Sequence, residues 1–217
     1  MTARALVAEG FGSCLLVATV VGSGLMATAM TGDQALALLA NALATGAVLI
    51  VLISLLAPVS GAHLNPAVTL VFALRRAIRP GLALGYVAAQ IMGAVAGTLL
   101  AHAMFGLPLV QIGETVRTGG AQWLAEGVAS FGLIAVILGG LHRADLPRLV
   151  ALYIVGAYWF TASTSFANPA VTIARSLTNS FAGIRPQDVP GFALAQVAGA
   201  LLAAGFAGWL FRGNPRD

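Results

Sequence analysis

The chain has 217 residues, 59% of them hydrophobic and 8% charged, with a mean hydropathy of +0.93. That charge content is about a third of what soluble domains carry, which excludes an ordinary water-soluble fold and points to a chain surrounded by lipid. The net charge of +4 does not mark a nucleic-acid surface, because the eleven basic residues are scattered at the ends of apolar runs and read as topology signals.

A hydrocarbon core about 30 Å thick takes about 20 helical residues to cross, so this length holds about six spans with short loops and leaves nothing for a soluble domain. The first apolar run, Ala5 to Met30, contains the single cysteine, Cys14, so neither an internal disulfide nor a thiolate metal cage can form, and Cys14 reads as a small buried hydrophobe. This run lacks a short apolar region followed by a small-residue cleavage site and is expected to stay as the first helix. Five more spans are predicted at Ala35 to Ala57, Gly81 to Phe105, Ala121 to Leu141, Pro147 to Ser163 and Val189 to Phe211. Two shorter stretches, Asn65 to Arg76 and Asn168 to Asn179, are each about 12 residues and about 18 Å as helix, roughly half a bilayer.

Both short stretches open with the same five residues, Asn65-Pro66-Ala67-Val68-Thr69 and Asn168-Pro169-Ala170-Val171-Thr172. Further matches, Ala8-Glu9-Gly10 with Ala125-Glu126-Gly127 and Ala89-Gln90 with Ala195-Gln196, recur at similar spacing. The chain therefore reads as one transmembrane domain, 1–217, made of two repeats at about 1–110 and 118–217. Three spans per repeat is an odd number, so the second copy must lie inverted in the membrane. The half-helices then enter from opposite faces and their Asn-Pro starts meet near the bilayer centre. With the N-terminus inside, Arg4, Arg75, Arg76, Arg79, Arg143, Arg148, Arg212 and Arg216 fall on the cytoplasmic side and Arg117, Arg175 and Arg185 outside, as the positive-inside rule asks.

Asparagine is a good N-cap and proline suits the first helical position, so Asn-Pro begins a helix abruptly. Two such starts meeting in mid-membrane concentrate positive potential, a barrier to cations including protons. The amides of Asn65 and Asn168 can donate to a solute oxygen there. The irregular backbone before each motif, Pro58 to Leu64 and Ser163 to Ala167, would line a wet cavity with carbonyl acceptors.

On the paired Asn-Pro-Ala motifs, the Ser60-Gly61-Ala62-His63-Leu64 lead-in, Glu9, Glu126, Gln90 and Gln196, the sequence resembles the aquaporin and aquaglyceroporin family, the major intrinsic proteins, over essentially its whole length. The resemblance implies an all-α membrane fold of six spans and two half-helices, passive passage of small neutral solutes, and a homotetramer with a pore in each subunit. It requires no cofactor or metal. It also implies a filter of four positions, here Thr45, Gly156, Ser165 and Val171. The family has an arginine where this chain has Val171, and the set contains neither an aromatic nor a charge, so a wide opening is expected. Such a filter is similar to the bacterial branch associated with arsenite, and implies passage of arsenous acid and other metalloid hydroxides, glycerol-like solutes and water across a bacterial inner membrane, with both termini cytoplasmic.

Arg175, one turn beyond Val171, has two readings, an arginine leaning over the outer mouth or an outer-surface arginine with its head in water, and the second is preferred. Charged-type residues within spans raise a proton relay, but the resemblance implies that Glu9 and Glu126 are acceptors for the backbone before each half-helix; His63 is read as a residue fixing its loop, with a titrating gate at the inner mouth as the alternative. His102 and His142 read as interface residues without a role, and Trp123 and Trp209 as parts of an aromatic belt. The competing function is a coupled secondary transporter, which inverted repeats also build. Against it, no acidic residue adjoins either motif. An enzyme is disfavoured because no nucleophile, base and orienting group converge.

Overall fold

A computed structural model describes residues 2–211; Arg212 and Arg216, two of the arginines assigned to the cytoplasmic side, lie outside the described residues. The described chain forms α1 (Thr2–Met30), α2 (Gln34–Ser60), α3 (Pro66–Leu74), α4 (Pro80–Met104), α5 (Gly120–Gly140), α6 (Leu146–Phe160), α7 (Pro169–Arg175) and α8 (Val189–Leu210). By length and composition, α1, α2, α4, α5 and α8 can cross a membrane. The predicted fifth span is the shorter α6, 15 residues or about 22 Å. It stops at Phe160 because Thr161 turns extended and its hydroxyl caps the Ala157 carbonyl at 2.6 Å.

Local chemistry sets the other boundaries. Asp33 caps α2, its carboxylate accepting from Ala35 N and Leu36 N. Gly61, with φ 89°, ends that helix in the left-handed region that glycine adopts without strain. The half-helices α3 and α7 have 9 and 7 residues, shorter than the apolar stretches suggested. A tight turn with Arg76 at φ 60° closes α3, and after Arg175 the chain turns through bonds from Ser176 N to Ile173 O and Leu177 N to Ala174 O.

The long helices alternate in direction, so Thr2 and Leu210 stand at one end of the bundle, the near end, and Met30 and Gly120 at the other, the far end. Within each half one pair of helices packs backbone to backbone. A Cβ on Gly93 of α4 would overlap the carbonyl of Gly10 in α1, and a Cβ on Gly199 of α8 would overlap that of Gly127 in α5. The same crossing is thus made twice with equivalent residues. Apolar side chains such as Val7, Leu55, Leu84, Leu124, Leu152 and Leu202 are exposed on the outside, the surface a bilayer would cover. Trp123 and Trp209 are exposed near helix ends.

At the far end the loop between α4 and α5 lies along the segment that follows α7, with Gln111 N bonded to Leu177 O and Gly113 N to Ser176 O. His102 departs from its expected surface position: it is fully buried and joins the two segments through Leu109 O and Thr178 Oγ1, both at 2.8 Å.

Candidate functional site

Each half-helix is preceded by a loop with several left-handed residues: Ala62 (φ 48°) and Leu64 (φ 49°) before α3, Thr164 (φ 61°), Ser165 (φ 51°) and Ala167 (φ 48°) before α7. For residues with a Cβ this costs about 1–2 kcal/mol each. Buried carboxylates hold both loops in place. Glu9 accepts from His63 N at 2.9 Å and Leu64 N at 2.6 Å; Glu126 accepts from Phe166 N at 2.9 Å and Ala167 N at 2.8 Å. Gln90 Nε2 bridges Glu9 and Thr69 Oγ1, and Gln196 Nε2 bridges Glu126 and Thr172 Oγ1. Both glutamates are fully buried, so every carboxylate oxygen is spent on structure. With the amide protons turned onto the glutamates, the carbonyls of Gly61, Ala62, His63, Ser165 and Phe166 meet no donor among the described residues and remain acceptors for a guest.

The loops bring Asn65 and Asn168 together. Asn65 Oδ1 caps its own helix by accepting from Ala67 N, and Asn168 Oδ1 accepts from Ala170 N and Val171 N. Asn65 Nδ2 donates to Ala167 O at 2.8 Å while Asn168 Nδ2 donates to Leu64 O at 2.7 Å, a reciprocal tie between the two loops. Each amide has two N–H groups, so one per asparagine is left for a solute. Pro66 and Pro169 occupy the first helical position and Ala67 and Ala170 are buried behind it.

A cavity of about 280 Å³ passes these amides. One face of each surrounding helix forms its wall at four-residue intervals: Thr45, Leu49, Ile53 and Ala57 from α2; Leu133 and Ile137 from α5, with Leu141 at its C-cap; Leu146, Val150, Ile154 and Tyr158 from α6. The half-helices contribute Val68 and Phe72 on the near side, Val171 and Arg175 on the far side. The near half is apolar apart from His63. The far half carries Thr45, Tyr158, Ser165 and Arg175.

Three of the four expected filter residues, Thr45, Ser165 and Val171, therefore line the cavity, and Gly156 does not. It lies two residues off the stripe that ends in Tyr158, so the helical period turns it outward; it is exposed, with open space beside it. Arg175 also departs from expectation, being 2% exposed and part of the cavity wall. Its Nε donates to Ala182 O, and its guanidinium carbon lies 3.3 Å from the Phe166 ring centroid. The filter implied by the resemblance included neither Arg175 nor Tyr158. The signal that could have found Tyr158 is the four-residue step along Leu146, Val150, Ile154 and Tyr158; the same step from Val171 to Arg175 is legible, but the arginine's inward turn depends on Ala182 O and the Phe166 ring.

His63 lines the near half, bonded through Nδ1 to Thr69 Oγ1 at 3.1 Å and packed on Phe72 at 4.6 Å between centroids. The repeat places Phe166 where His63 stands and Arg175 where Phe72 stands. Equivalent positions thus give a histidine on an aromatic in the near half and an arginine on an aromatic in the far half. Among the described residues no group of three or more His, Cys, Asp or Glu could hold a metal.

Residues 1–155 match the family model described as Major intrinsic protein. The chain is 59% identical to aquaglyceroporin AqpS of Rhizobium meliloti (strain 1021), over 96% of this chain and 91% of that protein. It is 31% identical to the probable aquaporin TIP-type RB7-5A of Nicotiana tabacum, over 96% of this chain and 86% of the relative. The X-ray structure of the aquaglyceroporin from Plasmodium falciparum is similar in fold, with a TM-score of 0.74 over 97% of both chains at 20% identity.

Proposed function

This chain belongs to the major intrinsic protein family, and from that premise we propose that it is a passive channel for small uncharged hydroxylated solutes: arsenous acid and other metalloid hydroxides, glycerol-like molecules and water. The family consists of channels, and the chain is a membrane channel rather than an enzyme. The observation that carries the solute reading is the cavity that passes the two tied asparagines and is walled by Val171 where a bulky cation would narrow it. A neutral solute entering this space exchanges hydration water for the free asparagine N–H groups and the loop carbonyls. A cation is disfavoured, because no carboxylate lines the cavity and the asparagine donors and helix starts present positive potential to it. The name of the 59% identical relative, an aquaglyceroporin, supports the glycerol-like part of the reading.

The proposal includes a homotetramer in the cell membrane of a bacterium, a separate pore in each subunit, and both termini in the cytoplasm. Exposed Arg4, Arg75, Arg76, Arg79, Arg143 and Arg148 support that orientation, since all belong to near-end segments. A coupled transporter is the weaker reading, because the buried carboxylates of Glu9 and Glu126 are committed to loop amides and neither is available for a coupling ion.

The test is stopped-flow light scattering on reconstituted vesicles with glycerol, arsenite, urea and water gradients, proton leak recorded alongside. Faster glycerol and arsenite entry than in empty vesicles, without saturation at low concentration and without dependence on a proton gradient, is the expected outcome. Uptake no faster than in empty vesicles sinks the solute assignment.

A further inference from the structure

We propose that Arg175 and Tyr158, with Ser165, form a solute-selecting subsite one helical turn beyond Val171, suited to neutral molecules that bear hydroxyl groups. The proposal rests on the channel reading and adds to it where selection occurs. Two of the three residues, Arg175 and Tyr158, lie outside the four filter positions that the family resemblance implies.

Val171 and Arg175 share one face of α7, and four residues of helix set Arg175 about 6 Å farther out along the pore. Its position is fixed from two sides: Nε is bonded to Ala182 O, and the guanidinium lies against Phe166, whose ring is also 5.0 Å from the guanidinium carbon of Arg117. Arg117 is in turn held by Gly183 O and Ser163 O. Among the described residues only Ala182 O accepts from Arg175, and no carboxylate pairs with it. The Nη groups of a cation built into a cavity wall thus keep their donors unspent.

Ser165 supplies the second, independent observation. Its side chain is 3% exposed, it lines the same cavity, and its Oγ has no hydrogen-bond partner. A buried hydroxyl without a partner is costly unless a guest satisfies it. The third group follows from proton counting. Thr45 Oγ1 gives its proton to Asn41 O at 2.8 Å, so in its 3.2 Å contact with Tyr158 Oη the tyrosine must donate. The lone pairs of Tyr158 Oη are left as acceptors. The far half therefore offers fixed donors from Arg175, an acceptor from Tyr158 and a hydroxyl of either sense from Ser165. A hydroxyl-bearing solute, which both donates and accepts, can use all three, whereas a cation meets an uncompensated positive charge.

The experiment compares wild type, Ser165→Ala, Tyr158→Phe and Arg175→Met as full chains in vesicles, reading glycerol, water and proton permeability. Ser165→Ala and Tyr158→Phe are the informative variants where Arg175→Met fails to assemble, because the serine hydroxyl has no protein partner to lose. Loss of one hydrogen bond of about 1 kcal/mol is expected to lower the glycerol-to-water permeability ratio by about fivefold in each. Arg175→Met is expected to lower it at least as far and to raise proton leak. A ratio within about twofold of wild type in both Ser165→Ala and Tyr158→Phe, with wild-type glycerol flux present, overturns the subsite alone. Absence of glycerol flux in wild type overturns the glycerol-like part of the solute reading and the subsite with it.

Discussion

Glu126 shows how a residue in the wrong solvent can serve structure. A carboxylate inside a membrane helix usually raises a relay hypothesis, yet both of its oxygens are taken by Phe166 N, Ala167 N and Gln196 Nε2. Glu126→Ala leaves two buried amides without acceptors, at about 1–3 kcal/mol each. Melting in detergent should therefore fall by at least about 5 °C, and Glu126→Gln, which retains one acceptor oxygen, should lie between the two. A melting temperature unchanged in Glu126→Ala would remove the structural role. At Val171 the prediction concerns width: Val171→Arg should reduce glycerol and arsenite flux more than water flux in the vesicle assay. Equal losses would show that this level does not discriminate by size. Arg175 was misjudged from sequence because an arginine ending a short apolar helix ordinarily extends to water. Here Ala182 O and the Phe166 face hold it inward.

At the scale of elements the fold depends on two crossings where helices touch through glycine. Gly199→Val should prevent α8 from reaching α5, because any Cβ overlaps the Gly127 carbonyl and the overlap is backbone, which cannot rotate away. Gly93→Val should do the same to α1 and α4. Size-exclusion chromatography of detergent-solubilised protein should show loss of the monodisperse species for both. Gly81→Ala, which meets nothing within 4 Å, is the control and should elute unchanged. The helix starts are equally local: Asp33, Asn65 and Asn168 each cap a helix with their own side chain. Boundaries read from hydropathy erred at Thr161 and after Leu74 and Arg175, because a window average carries an apolar run past the polar turn that ends the helix.

For the whole molecule, the prediction is orientation and assembly. In a Cys14→Ser background, cysteines introduced at Thr31 and at Ala77 should label from opposite sides of intact cells, Thr31 from outside. The reverse pattern would invert the topology. Cross-linking in membranes should trap species up to four chains. The far mouth carries Arg175 and Tyr158 while the near mouth carries His63 and Phe72, so the two ends of one repeat-built pore differ in chemistry although their backbones match.

By itself the sequence determined the apolar helices, the two half-helices, the inverted repeat and the meeting of Asn65 with Asn168. These follow from local rules, since hydropathy, capping and an odd number of spans per repeat act along the chain or by simple parity. Only the tertiary structure decided which side chains face the cavity. Tyr158 does and Gly156 does not, and Arg175 is held inside by partners seven and nine residues away in the chain. That choice depends on how each helix is rotated against its neighbours, and the rotation is set by the glycine crossings and buried polar ties between distant segments.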